Sequence, residues 1–366
     1  MMRVINFRNT ISFLILISTI FFLSDIRVES QPPIQPPGLD IAMEVQEAHT
    51  SGLMADPDVV GTAVGLNRTG EAVIQVFVES EGVRGIPRNL EGFDVVVKVT
   101  GPIVAYKRPS SAGGSSEVSH KAKQTPPIQL GTSGGWRYDL ANGYCCGGTL
   151  GALVQIGATK YILSNWHVLY SDIVNGGNNR TWQPGDPVIQ PGLIDVSCNQ
   201  NNAQNVASLV NGGGSLPDGN VDAGIAKIIE GMVDESGAIL EIGTISSRTV
   251  EASIGQNVKK SGGTTGLSRS RVDGLNATVR ISYEDECAGR AAFEKTFTGQ
   301  IVIENRNCKF LNGGESGSLM VEDVDNNPKA VGLLYAGSAI CYRYSVAIAN
   351  PIDEVLNYFG ASMVGN

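Results

Sequence analysis

The chain has 366 residues, 42% hydrophobic and 17% charged, with a formal net charge of −9. That length fits two folded units, and the composition is globular rather than disordered. The acidic balance, with no basic stripe interleaved with aromatics, gives no footing for nucleic acid. Forty-five glycines beside few long helical periodicities favour short strands joined by tight turns.

Residues 1–30 read as a secretion signal. Arg3 and Arg8 precede the apolar run Ile11 to Leu23, which is short for a bilayer span of ~20 residues. Val28 and Ser30 are the small side chains a signal peptidase reads, so cleavage is expected after Ser30 with no membrane anchor left behind. Export gives the six cysteines (Cys145, Cys146, Cys198, Cys287, Cys308, Cys341) an oxidising context, and disulfides are expected in pairings the spacing does not reveal. No C-x-x-C occurs and no histidine lies near them, which argues against zinc. No metal or other cofactor is implied.

Residues 31–107 read as a small α+β domain. "QPPIQPPG" is extended, "DIAMEVQEAHTSGLM" has helical spacing, and "VVGTAVGLN", "EAVIQVFVES" and "FDVVVKVTG" are strand-like. Residues 108–136, rich in serine, glycine and proline, read as a flexible linker. From 137 to 366, short β-runs alternate with glycine turns, which predicts an all-β barrel or sandwich. One helix is predicted in "NPIDEVLNYFG", capped by Asn350, opened by Pro351 and stopped by Gly360.

The stretch "GGESGSLMV" places Ser316 among glycines. A serine hydroxyl is a poor nucleophile without a base in hydrogen-bond reach and an acid that holds the base's tautomer. Of three histidines, His49 lies in the predicted N-terminal helix and His120 in the linker, which leaves His167 in "YILSNWHVLY" as the base. Asp222 leads into the apolar run Ala223 to Ile229, where a carboxylate without a partner would be costly, and is the candidate acid. Asp218, in a Pro-Asp-Gly turn, reads as a solvated turn residue. The order His167, Asp222, Ser316 excludes an α/β-hydrolase, in which the serine comes first. "EDVDNNP" lacks the glycine and glutamate of a calcium loop, and "KKSGGTTG" lacks the ending of a phosphate loop.

With these residues in this order, the region from about Gly143 to Gly360 resembles the trypsin/chymotrypsin-like serine peptidases, in their bacterial form. "CCGGTLGALVQ", "ILSNWHVL", "VDAGIAKI" and "GGESGSLMV" are similar to that family's C-G-G-S-L, histidine, D-I-A-L and G-D-S-G-G-P segments, and "KKSGGTTGLSRSRV" to the start of its second barrel. The resemblance implies two six-stranded antiparallel β-barrels with a C-terminal helix, the site lying between them. It implies a secreted or periplasmic serine endopeptidase acting on proteins or peptides through His167, Asp222 and Ser316. Gly314 and Ser316 would supply the oxyanion-hole amides, while Phe310, Tyr335, Ala336 and Gly337 would line the substrate site. Lying between an export signal and this region and joined to it by a linker, the N-terminal domain is expected to be a pro-domain, an intramolecular inhibitor or folding aid removed by cutting in the linker, or else a permanently attached binding or spacer module. An inactive peptidase-like binding protein, or an esterase on the same triad, are the alternatives. Three positions depart from the pattern: Glu315 replaces an aspartate that pairs with a newly cut N-terminus, Val168 replaces a cysteine, and Phe310 stands where an acid selects basic substrates.

Overall fold

The computed structural model describes residues 35–105, 119–141, 144–170, 181–216, 218–285, 290–341 and 343–366. The expected secretion signal, residues 1–30, and residues 108–118 of the expected linker lie outside the described residues.

Helix α1 (Leu39–Leu53) opens the described chain, followed by β1 (Val59–Leu66), β2 (Ala72–Val78), β3 (Asn89–Leu90), β4 (Phe93–Val99) and β5 (Ile103–Ala105). The next group is β6 (Thr132–Trp136), β7 (Leu140–Ala141), β8 (Tyr144–Cys145), β9 (Gly148–Leu150), β10 (Ala152–Ile156) and β11 (Thr159–Ser164). A single helical turn, α2 (Trp166–Leu169), leads to β12 (Pro187–Gln190), β13 (Gln204–Gly214) and β14 (Gly224–Ile228). The last group is β15 (Asn257–Gly262), β16 (Gly266–Asp285), β17 (Arg290–Glu304), β18 (Leu319–Glu322), β19 (Ala330–Ser338), β20 (Val346–Pro351), α3 (Ile352–Phe359) and β21 (Ser362–Met363).

Two rings of six strands result. In the first, β9 and β10 are one strand interrupted at Gly151, and the order β10-β11-β14-β13-β12-β6-β9 brings the path back to it. In the second, β15-β18-β19-β20-β17-β16 closes by β16 pairing with β15. Both rings are antiparallel and their inner faces carry the aliphatic residues, among them Leu153, Ile162, Val188 and Leu209 in the first and Val258, Ile303, Met320 and Leu334 in the second. The expected double barrel is present. Disulfides Cys145–Cys198 and Cys308–Cys341 are formed, and Cys146 is disulfide-bonded as well.

The N-terminal elements extend the second sheet. Strand β1 pairs with β16, with Gly61 opposite Val279 and Thr62 opposite Thr278, and β2 and β4 continue outward. A Cβ at Gly61 would lie 2.7 Å from the Thr278 carbonyl, so the glycine is what lets the two backbones approach. Within the stretch read as linker, His120 is buried, and Thr132–Trp136 forms β6 with all five residues buried. The glycines there serve close packing: a Cβ at Gly134 would meet the Leu150 side chain at 2.4 Å.

The C-terminal helix differs from its expected cap. It begins at Ile352 without a side-chain cap, while Asn350 lies inside β20 and turns its amide inward. Gly360 does end it, in the left-handed conformation at φ 60°.

Candidate active site

Strand β11 ends at Ser164, and the chain turns through Asn165 into α2, where the Asn165 carbonyl accepts from the amides of Val168 (3.2 Å) and Leu169 (3.1 Å). His167 therefore projects from a helical turn rather than from the end of a strand. Its Nδ1 lies 2.6 Å from Asp222 Oδ2, and both side chains are buried. The other carboxylate oxygen, Oδ1, accepts from the backbone amides of Trp166 (2.8 Å) and His167 (3.3 Å).

The main chain of Asp222 is fixed as firmly as its carboxylate. Its carbonyl accepts from Asn165 Nδ2 at 2.7 Å and from Asn350 Nδ2 at 3.1 Å, and its amide donates to Asn350 Oδ1 at 3.1 Å. Asn350, expected as a helix cap, instead ties the second barrel to the loop that carries the acid. A fourth donor to the carboxylate was not foreseen in the sequence: the Tyr283 hydroxyl, from the far end of β16, lies 2.9 Å from Asp222 Oδ2.

Ser316 lies in the loop before β18, buried against the first barrel. Its carbonyl accepts from the Thr149 amide at 2.8 Å, and its Oγ is 3.3 Å from the Tyr335 carbonyl. A Cβ on Gly148 would meet both the Ser316 carbonyl (2.9 Å) and Val168 Cγ2 (2.6 Å), so this glycine lets the serine loop close upon α2. Gly151 has the same role one turn on, where a Cβ would stand 2.0 Å from the Gly317 carbonyl. That carbonyl and the Leu163 carbonyl, at 3.2 Å, are backbone and have no rotamer to change. Gly151→Ala is expected to destabilise the fold by about 2–3 kcal/mol, seen as a lower denaturant midpoint at unchanged m-value.

The backbone around Ser316 has a defined polarity. A trans peptide sets its N–H and C=O in opposite directions. The Gly313 carbonyl is held by Thr264 Oγ1 at 2.7 Å, which aims the Gly314 amide the other way. The Glu315 carbonyl is held by the Ser318 amide (3.0 Å) and Ser318 Oγ (2.6 Å), which does the same for the Ser316 amide. Gly314 is at φ +85°, a conformation that side chains with a Cβ rarely adopt.

Glu315 has an internal partner. Its carboxylate is buried against Lys260 Nζ of β15, and Lys260 also donates to Thr265 Oγ1 at 2.6 Å. The amides of Thr264 (3.0 Å) and Thr265 donate to Oε1. Burial holds the Lys260 ammonium below the usual lysine range, with the Glu315 charge acting in the opposite direction. Gly262 has to be glycine beside this pair, since a Cβ would stand 2.0 Å from Glu315 Oε2.

The four expected substrate-site residues occupy different settings. Ala336 and Gly337 lie on β19, and a Cβ at Gly337 would meet Leu311 Cδ2 at 2.7 Å, so Leu311 is the side chain beside that glycine. Phe310 is buried with Val258, Ile303 and Met320 in the second barrel's core. The Tyr335 ring is buried against Phe297 at 5.2 Å, its hydroxyl pushed well above the usual tyrosine range by burial and then by the Asp222 charge. Among the described residues no cluster of side chains is suited to hold a metal ion.

No protein-family model matches the chain. Solved structures align with it at low identity. A glutamic acid specific serine protease aligns at 18% identity and TM-score 0.44, over 64% of this chain and 100% of its own. Thermobifida fusca protease A aligns at 20% and 0.40, over 65% of this chain and 99% of its own. Cellulomonas bogoriensis chymotrypsin aligns at 17% and 0.41, over 65% and 99% respectively. With two closed six-stranded rings, a site at their junction and a C-terminal helix, the fold is chymotrypsin-like.

Proposed function

We propose that this chain is a secreted serine endopeptidase with Ser316 as nucleophile, His167 as general base and Asp222 as the acid that orients it. The observation that carries the reading is the His167–Asp222 contact at 2.6 Å, buried at the junction of two barrels beside a serine whose loop amides have a fixed direction. Ser316 Oγ attacks the scissile carbonyl carbon while His167 Nε2 takes its proton. The carbonyl π pair moves onto oxygen, where the Gly314 and Ser316 amides receive the negative charge. Collapse breaks the C–N bond, with the proton passing from His167 to the leaving amine. Water then repeats the sequence on the acyl-enzyme. Residues 1–30 are the leader removed on export, and the disulfides suit an oxidising compartment.

The N-terminal domain, residues 31–107, is the site's own occupant before processing. Strand β5 adds antiparallel to β19, with Val104 opposite Gly337 and Ile103 opposite Ser338, and the Ala339 amide donates to the Pro102 carbonyl at 2.8 Å. That edge of β19 is the one an extended substrate would use. The strand runs toward Tyr335, whose carbonyl faces Ser316 Oγ. In this arrangement Ser316 is only 2% exposed and His167 1%, too little for a protein substrate to reach. Cutting within 108–118 would release the strand.

The test of the enzyme reading is labelling of the full chain and of chain nicked within 108–118 by an alkyl fluorophosphonate, with the adduct located by mass spectrometry. An adduct on Ser316, accompanied by cleavage of a peptide-bond substrate, is expected. Ester turnover alone would favour an esterase, and no adduct in either form would leave a binding protein. For the occupant, Val104→Asp places a charge at a buried position and is expected to raise peptide turnover at least tenfold. Unchanged turnover in both Val104→Asp and nicked chain would show that β5 is no obstruction.

A further inference from the structure

We propose that Tyr283 is the positioning residue for Asp222, holding the carboxylate from the second barrel in the orientation His167 needs. The inference rests on the triad reading above and adds to it a group from an element with no part in that reading. Asp222 is fully buried and its two oxygens meet four donors. Three of these come from Trp166 and His167, the same short turn that bears the base. Tyr283 alone approaches from the other barrel. Without it, the carboxylate would be located solely by the turn that carries the residue it has to orient. With it, Oδ2 is shared between His167 Nδ1 at 2.6 Å and the Tyr283 hydroxyl at 2.9 Å, which fixes the plane of the carboxylate independently of the imidazole.

The ring that carries this hydroxyl is itself constrained. It stacks on Phe293 with centroids 4.6 Å apart and planes 11° from parallel, and meets the His167 ring edge-on at 5.9 Å. Phe293 is its partner across the β16–β17 hairpin, and Phe297 contacts it at 6.4 Å. Hairpin strands of 20 and 15 residues are longer than a barrel wall needs, and the excess is what carries Tyr283 to the junction. Burial first, and then the Asp222 charge, push the hydroxyl well above the usual tyrosine range, so it stays a donor wherever the triad works. The Tyr283 backbone also pairs with Ala105 of β5, so the strand lying in the substrate edge touches the same tip that sets the acid.

Tyr283→Phe keeps the ring stack and removes only the donor. In nicked chain it is expected to lower kcat about tenfold, the rate equivalent of one hydrogen bond to a charged group, with KM within about twofold. With His167 Nδ1 left as the sole partner of Oδ2, more negative charge faces the imidazole. The acid limb of the kcat/KM profile should move to higher pH, and the downfield His167 Nδ1–H proton resonance should move further downfield. In an Asp222→Asn background the same substitution should change kcat less than twofold. A Tyr283→Phe enzyme with wild-type kcat, pH profile and proton resonance would overturn the proposal, and so would full additivity with Asp222→Asn. The resonance is read without turnover, which keeps the two failures apart. A wild type that labels and cleaves nothing would sink the peptidase reading, whereas a resonance unmoved by Tyr283→Phe would sink the Tyr283–Asp222–His167 link.

Discussion

Ser316→Ala is expected to lower kcat/KM for a peptide substrate by about 10⁴ to 10⁶, with His167→Ala in the same range and the double variant no worse than either. The magnitude follows from what each side chain would do in the proposed peptidase. Alanine at 316 would remove the only atom that forms the acyl bond. Alanine at 167 would leave the hydroxyl with no base to take its proton. Removing the second member after the first then removes nothing further, so the effects do not add. The residual rate above water should persist in all three, because the Gly313 and Glu315 carbonyls stay held by Thr264 and Ser318 and the amides keep their direction. Asp222→Asn is expected to cost about 10⁴, since an asparagine amide opposite His167 Nδ1 favours the wrong tautomer. Denaturation midpoints separate these losses from unfolding: Ser316→Ala deletes one buried oxygen and should shift stability little. Strictly additive losses, or wild-type turnover in Ser316→Ala, would remove the serine from the chemistry.

Much of the architecture is readable in the chain because the responsible physics is local. The helix over α1 and the strands β1, β2 and β4 follow from apolar spacing, and Gly360 from the need for a left-handed stop. The order of His167, Asp222 and Ser316 selects among serine-hydrolase folds because chain order survives folding. What escapes the sequence depends on partners distant in the chain. Asn350 has the chemistry of a helix cap and stands beside Pro351, yet its amide is claimed by Asp222, 128 residues away. Tyr283 sits with Val279 and Ile281 on one face of an alternating strand, which marks it as inward-facing without saying toward what. Strand β5 has only three residues, and its register exists only by virtue of β19 and β16. Cysteine chemistry signals bridges, but Cys308 and Cys341 find each other through barrel closure. Glu315 reads as an oddity until Lys260 is placed against it. A lysine in a strand reading Val-Lys-Lys-Ser is ordinary if its side chain faces solvent, and only closure of the second barrel decides that it does not.

Lys260→Met should destabilise the protein by about 3–5 kcal/mol, because it leaves the Glu315 carboxylate buried and without a counter-charge. Both side chains of the pair are fully buried, so neither can turn to water without moving backbone. The carboxylate keeps the Thr264 and Thr265 amides and Ser318 Oγ at 3.3 Å, but neutral donors do not replace an ammonium in a dry site. Relief requires Glu315 to leave, and Glu315 is covalently between the two residues whose amides would receive the oxyanion. Activity should therefore fall with stability, by about 10²-fold or more in kcat at temperatures where the variant is still folded. Lys260→Met combined with Glu315→Met separates the two effects. Replacing both partners by apolar side chains of similar volume should recover most of the stability. It should not recover the rate, since the Thr264 and Thr265 amides would no longer hold the residue beside Ser316. Equal recovery of stability and rate would mean that the pair only fills space. Recovery of stability alone assigns to Lys260 the task that a freshly cut N-terminal amine performs in trypsin-like enzymes: fixing the loop so that the amides beside the nucleophile are already aimed before any substrate arrives.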